Sequence, residues 1–302
     1  MLPLYLEQLN INGILQKSEE LNDMMNECKI CPNECGVNRF NNESGKCHSS
    51  NEIFISSYGP HYGEEPPLVG SFGSGTIFFT NCTLNCIYCQ NYDISHLGRG
   101  EKVTPEQLSE IMLNLQKRGC HNINLVSPTH YIAGIVIALS LAVEKGLEIP
   151  LVYNTGGYES TITLKILENI VYIYMTYIKY SVDETAEKYS GVSNYWTLVK
   201  NAFLEMHRQT GDLKISRRGV AQRGLLIRHL VLPNKLAGSK EIIKFISQEI
   251  SKDTYLNIMP QYRPAYNAYK YQELNRSITS EEFNETIQYA KDSGLYRGIE
   301  DE

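Results

Sequence analysis

Seven of the eight cysteines fall in two tight groups, and their spacing limits the chemistry open to this chain. The second group reads Cys82-Thr-Leu-Asn-Cys86-Ile-Tyr-Cys89, a C-x3-C-x2-C run. Thiolates three and four residues apart on one loop can converge on a single small centre. Three of them cannot complete a tetrahedral zinc site or fully ligate a four-iron cluster, since each takes four ligands. One position is therefore filled from elsewhere or left open to a substrate. An open iron on a cubane is what a cofactor bound and reduced there would need. The competing reading is a zinc loop that borrows a ligand such as His96. The first group, Cys28-x2-Cys31-x3-Cys35-x11-Cys47, has four thiolates and can close a site by itself. Pro32, Gly36 and Gly45 suit the tight turns of such a loop, and His48 is a substitute ligand. Soft thiolates select zinc or an iron–sulfur cluster, and spacing does not decide between them. Four free cysteines are the alternative. Cys120, apart from both groups, reads as a small buried apolar residue.

Composition narrows the context. With 42% hydrophobic and 21% charged residues the chain matches folded globular proteins, which excludes disorder. Its 302 residues bury a large core without disulfide staples, and the amino terminus opens without a basic region. Clustered cysteines in such a chain point to metal ligation in the cytoplasm rather than to disulfides. The net charge of −6 disfavours nucleic acid and anionic membranes as partners. The basic stretch Arg217-Arg218…Arg223…Arg228 reads as a solvated loop running into a strand. The longest apolar run, Tyr131 to Val143, is too short to span a bilayer.

The elements that must position the cysteines follow from hydrophobic period. Residues 3–24 predict one amphipathic helix, 52–58 an extended stretch, and 59–75 a Gly/Pro-rich loop or linker carrying His61, Glu64 and Glu65. From Thr76 onward apolar strand runs (76–80, 122–127, 150–154, 171–179, 225–231, 254–259) alternate with helical runs (104–119, 131–145, 159–168, 183–210, 239–250, 281–293). Thr104-Pro-Glu-Gln107 and Thr279-Ser-Glu-Glu282 fit capping boxes with Pro105 at the first helical position, and Gly119 and Gly146 suit helix ends. Alternation of this kind implies a parallel sheet covered by helices. No G-x-G-x-x-G or Walker sequence follows the first strand. The cysteine triad stands there instead, at a strand's carboxyl end, where barrels place their chemistry.

These residues carry a family resemblance. C-x3-C-x2-C with Tyr88 before the last cysteine resembles the signature of radical S-adenosylmethionine (radical SAM) enzymes. The extension Cys89-Gln90-Asn91-Tyr92-Asp93 is similar to the subgroup of pyruvate formate-lyase activating enzyme. The resemblance implies an α/β fold, a partial (β/α)6 TIM-like barrel over residues 71–302 behind a cysteine-rich extension over residues 1–70. It implies a 4Fe-4S cluster on Cys82, Cys86 and Cys89 that binds S-adenosyl-L-methionine through its fourth iron. A low-potential donor such as flavodoxin or ferredoxin would reduce the cluster, and the 5′-deoxyadenosyl radical formed would abstract hydrogen from a protein or peptide. Modification of a small molecule, a two-cluster electron carrier and a zinc-binding module are the other readings. By position, the cofactor contacts would be Tyr88, Ser127, Thr129, His130, Asn154, Lys179, Arg228 and Asn257, with Gln261 near the last. Ser127-Pro-Thr-His130 stands where the family often has Gly-Gly-Glu, and equally suits a helix cap. Asn154-Thr-Gly-Gly157 resembles a ribose-side turn and equally an ordinary one. Tyr177 replaces the acid of the usual Asp-x-Lys. His229, facing away from Arg228 on the same strand, and Met259 read as packing. The first cysteine group is similar to the cysteine-rich leader of some activating-enzyme relatives, which implies zinc or a second iron–sulfur cluster on Cys28, Cys31, Cys35 and Cys47.

Overall fold

The computed structural model describes residues 3–299. The amino-terminal helix is two, α1 (Leu4–Glu7) and α2 (Ile11–Asn26). The break falls at Asn10, whose side chain leaves the helical path to accept the backbone N–H of Gly13 at 2.9 Å as an N-cap. Residues 27–52 then run with little regular structure into β1 (Ile53–His61). After α3 (Pro66–Val69) come β2 (Ser74–Phe79), α4 (Tyr92–Ser95) and β3 (Glu101–Val103). The alternating part follows as α5 (Pro105–Lys117), β4 (Ile123–Val126), α6 (Ile132–Glu144), β5 (Leu151–Thr155), α7 (Thr161–Ile166) and β6 (Ile173–Tyr177). It ends with α8 (Asp183–Ser190), α9 (Tyr195–Thr210), β7 (Lys214–Ile215), β8 (Ala221–Leu230), α10 (Ser239–Phe245), β9 (Tyr255–Met259) and α11 (Ser280–Asp292).

Six strands run parallel in the order β2-β4-β5-β6-β8-β9, each crossing to the next through helix. Every strand run expected from the pattern is present, and both capping boxes form, at Thr104 and Thr279. The run expected as one helix over 183–210 is divided, because Gly191 and Asn194 both take left-handed φ between α8 and α9. The stretch assigned to a loop or linker over 59–75 is instead built into the barrel. β1 pairs antiparallel with β2 from Ile55↔Phe79 to His61↔Ser74, and β3 extends that edge.

A strand alternates faces, so each has one side toward the helices and one toward the barrel interior. Phe79, Leu125, Tyr153, Tyr174, Ile227 and Ile258 face the helices and form the main core. The opposite face supplies a second apolar cluster, in which Val152, Met175, Leu226 and Tyr255 close around Leu68 of α3. Leu68 thus plugs the interior from the amino-terminal end of the strands. The same faces, one step further along each strand, are polar: Asn124, Asn154, Tyr177, Arg228 and Asn257. That switch from apolar to polar marks the floor of the site.

Candidate functional site

A cavity of about 490 Å³ opens above this floor. Cys82, Cys86, Cys89 and Tyr88 form one wall; Ser127, Asn154, Lys179, Arg228 and Gln261 line the rest. The chain turns into the cysteine loop at Asn81, which has φ +64 and whose N–H bonds to Ile94 O at 3.0 Å. The loop is pinned along its length. Asn85 N and Ile87 N donate to Ser190 O and Tyr189 O at 3.0 and 2.9 Å, at the end of α8. Asn267 N donates to Ile87 O, and the His96 ring bonds to Cys86 O at 3.0 Å.

Each sulfur of the loop meets one donor. Leu84 N points at Cys82 Sγ (3.5 Å), the Ser190 hydroxyl at Cys86 Sγ (3.0 Å) and the Ser95 hydroxyl at Cys89 Sγ (3.1 Å). Donors of this kind suit thiolates and tune iron–sulfur centres. Burial pushes the free Cys82 thiol up to about 12, with Cys86 adding to the rise, so an ion entering the loop must displace protons. Burial also acts to lower the Lys179 pKa, but the cysteines and Tyr177 outweigh it and the net shift is upward. The ammonium is therefore a fixed cation beside the three sulfurs.

Among the described residues no three His, Cys, Asp or Glu side chains are arranged to hold a single ion. A tetrahedral zinc with Zn–S near 2.3 Å needs sulfurs roughly 3.8 Å apart. A cubane puts each thiolate on a different iron and spreads them wider. Three soft thiolates on one loop, each met by a donor, are one ligand short of a closed zinc site and are the donor set that a cluster with one open iron would take. His96, the borrowed ligand of the zinc reading, is engaged by Cys86 O and stacks on Tyr266 with ring centroids 4.4 Å apart.

The floor is an ion cluster. Arg228 is clamped by Glu65 through Nε at 2.5 Å and through Nη2, and Nη2 also reaches Glu64 Oε2 at 2.5 Å. Its Nη1 donates to the Tyr177 hydroxyl at 2.9 Å, and Asn257 Nδ2 donates to Glu65 at 2.8 Å. Asn124 Nδ2 completes Glu64 at 3.1 Å. Arg228 therefore lines the cavity with its fork already filled by carboxylates of this chain. Tyr177, in the place of the expected acid, bridges the two cations: its hydroxyl takes Arg228 and its ring lies 4.8 Å from Lys179 Nζ. His229 faces the other way into the core, bonded to Ile178 O and Ser239 Oγ, both at 2.8 Å.

Thr129 and His130 stand behind the wall rather than on it. Thr129 donates to Glu159 at 2.8 Å, and His130 Nε2 meets Thr80 O at 2.7 Å. Burial drives the His130 pKa down to about 3, so the ring is neutral. Ser127, at φ +56, donates its N–H to Asn154 O at 2.8 Å and remains on the cavity surface. In the Gly156-Gly157 turn the two glycines serve different needs. Gly157 has φ +85, and a Cβ there would lie 2.2 Å from Tyr177 O; Gly156 lets Leu84 approach from the cysteine loop.

Three residues of the site were not expected from sequence. Glu64 and Glu65 meet Arg228 across more than 160 positions, and nothing in Gly-Glu-Glu-Pro-Pro signals it. Glu159 lies wholly buried among Thr129, Thr155 and Tyr153, all of which donate to it. Burial raises its pKa to about 7 against the opposition of those three donors. The folded chain therefore holds this proton between about pH 4.5 and 7, where the unfolded chain releases it. Stability from this group is full below 4.5 and is lost as pH rises through 7. Urea titrations at a series of pH values should show that decline, and Glu159→Gln should flatten it.

The chain belongs to the radical SAM superfamily: residues 76–220, from β2 across the cysteine loop to the start of β8, match the superfamily model. It is 31% identical over 300 residues to the uncharacterised protein MJ0674 of Methanocaldococcus jannaschii, covering 96% of this chain and 82% of that one. Similar solved structures include Streptococcus suis SuiB bound to the precursor peptide SuiA (TM-score 0.49, 11% identity, 72% of this chain and 46% of that one). The [FeFe]-hydrogenase maturase HydG is another (0.48, 13%, 96% and 63%), as is native anSMEcpe with bound AdoMet (0.47, 15%, 70% and 57%). This chain thus spans between 46% and 63% of the length of those structures. Among the described residues no helix is long and apolar enough to cross a membrane.

Proposed function

We propose that this protein is a radical SAM oxidoreductase of the activating-enzyme type, acting on a protein or peptide. The observation that carries the reading is the Cys82–Cys89 loop, at the carboxyl end of β2, with a donor on every sulfur and the Lys179 ammonium beside them. A 4Fe-4S cluster with S-adenosyl-L-methionine supplies reductive cleavage of the cofactor's C–S bond and a 5′-deoxyadenosyl radical that takes hydrogen from substrate. The chain's own part is to bind and orient. Cys82, Cys86 and Cys89 would hold the cluster. Lys179 offers a cation to the cofactor carboxylate, Ser127 and Asn154 offer polar groups across the cavity, and Tyr88 closes the wall behind the loop. The Leu68 plug and the Arg228 floor keep bulk water from entering beneath the cofactor.

The activating-enzyme subtype rests on Cys89-Gln90-Asn91 and on the exposed apolar side chains Tyr92 and Leu97 beside the loop, which suit a protein partner. A low-potential flavodoxin or ferredoxin is the fitting electron donor. The test is anaerobic reconstitution with iron and sulfide, then incubation with dithionite and S-adenosylmethionine. Formation of 5′-deoxyadenosine supports the reading; a protein that takes up four irons but never yields it, with or without candidate peptides, overturns it.

A further inference from the structure

The floor of the cavity carries one negative charge more than its cations answer. Glu64 and Glu65 both close on the single guanidinium of Arg228, and among the described residues neither has another ion pair. Their side chains are almost wholly buried, where water does little to screen the excess. The other basic groups of the cavity are engaged elsewhere. Lys179 lies in the field of Cys86, Tyr177, Cys89 and Cys82. His61 lines the same cavity, but its ring stands edge-on to Phe78 and pairs with neither carboxylate.

A second shortfall lies beside the first. Asn124 is wholly buried and aimed at Glu64, to which its Nδ2 donates at 3.1 Å, yet its Oδ1 meets no donor. The Thr76 hydroxyl next to it donates to Ser74 O at 3.3 Å instead. A buried acceptor left unmet is destabilising, as is a buried charge without its counter-ion. The region around Glu64 is therefore short of both a hydrogen-bond donor and a positive charge, and an ammonium or guanidinium group brings both at once. Of the two carboxylates it is Glu64 that lines the cavity. Glu65 is held beneath by Arg228 Nε and Nη2 and by Asn257. Phe78, on the same wall as Glu64, supplies apolar surface for the methylene stem that such a cation carries.

We propose that Glu64 determines specificity: the substrate brings a basic side chain, of lysine or arginine type, whose cation seats against the Glu64 carboxylate. The inference rests on the reading that this cavity takes a protein or peptide, and names the kind of residue it selects. Binding is measured by calorimetry on the chain reconstituted anaerobically with iron and sulfide, with and without S-adenosylmethionine. No reductant is added, so nothing turns over. The probes are acetyl-Gly-Lys-Gly-amide, acetyl-Gly-Arg-Gly-amide and the neutral acetyl-Gly-norleucine-Gly-amide. The basic peptides should bind about tenfold tighter than the neutral one, as a hydrogen bond to a charged group implies, and Glu64→Gln should erase the difference. Equal binding of all three, no binding of either basic peptide, or a preference that survives Glu64→Gln overturns the proposal. So does a Glu64→Gln variant that loses affinity for S-adenosylmethionine and none for the basic peptides, since the carboxylate then serves the cofactor. Urea unfolding checks the charge count without any ligand. Glu64→Gln removes the excess charge and offers an amide N–H to Asn124 Oδ1, so its urea midpoint should rise, whereas Glu65→Gln breaks the paired carboxylate and its midpoint should fall. A fall with Glu64→Gln would remove the imbalance on which the proposal stands. A chain that never forms 5′-deoxyadenosine would sink the proposed function and leave these binding results untouched, so the two readings fail separately.

Discussion

Cys86→Ala is expected to abolish 5′-deoxyadenosine formation and to strip iron from the Cys82–Cys89 loop. The reason is the count of ligands. On the proposed reading three thiolates leave one iron open for the cofactor, and removing another leaves two. His96, the imidazole beside the loop, is bound to Cys86 O and stacked on Tyr266. The loss should therefore exceed the roughly 10–100-fold that removing a ligand's own hydrogen-bond partner costs. That smaller effect is what Ser190→Ala should show, because it deletes only the hydroxyl that donates to Cys86 Sγ at 3.0 Å. Iron content and product formation measured on both variants give the ranking. Equal losses from the two would mean that Cys86 matters through packing rather than through ligation.

Arg228→Met should cost about 3–5 kcal/mol of folding stability, the range for breaking a buried pair at one partner. Glu64 and Glu65 have side chains only 6% and 2% exposed, so neither carboxylate can turn to water when the guanidinium is gone. Asn124 and Asn257 each supply one amide donor, which does not replace a charge. Urea unfolding at neutral pH measures the loss. Adding Glu65→Gln to Arg228→Met should recover part of it, since one stranded charge disappears. No recovery in the double variant would show that the floor is held by shape and not by charge balance.

The barrel was legible in the sequence because its signals are local. Apolar runs of strand length, two capping boxes and turn glycines fix where strands and helices stand, and the cysteine spacing then falls at a strand end without further assumption. Arg228 and His229 also separate by alternation alone, one to the cavity and one to the core. The floor was not legible, because its contacts join residues that no period relates. Glu64-Glu65-Pro66-Pro67 has the composition of a linker, and only the closing of β1 against β2 carries it under Arg228. Thr129 and His130 illustrate the converse. Both occupy the strand-end position where cofactor contacts were expected, but the backbone turns at Ser127 and directs their side chains toward Glu159 and Thr80. The tyrosines, numerous for this length, acquire a role of the same non-local kind. Tyr88, Tyr180 and Tyr195 pack edge to face behind the loop, with Tyr180 donating to Tyr88 at 2.6 Å and meeting Ser190 at 2.9 Å.

The hydrogen bonds that fasten Asn85, Ile87 and Cys86 to α8, Asn267 and His96 bear on how the protein matures. A peptide that must order itself around an incoming cluster spends ordering entropy on loading, and folding then depends on metal. Here the loop is already set by the backbone of its neighbours, and its sulfurs already face hydroxyl and amide donors. On the proposed reading, the cost of ordering the loop is met by these backbone contacts as the barrel folds, and a cluster would not have to supply it.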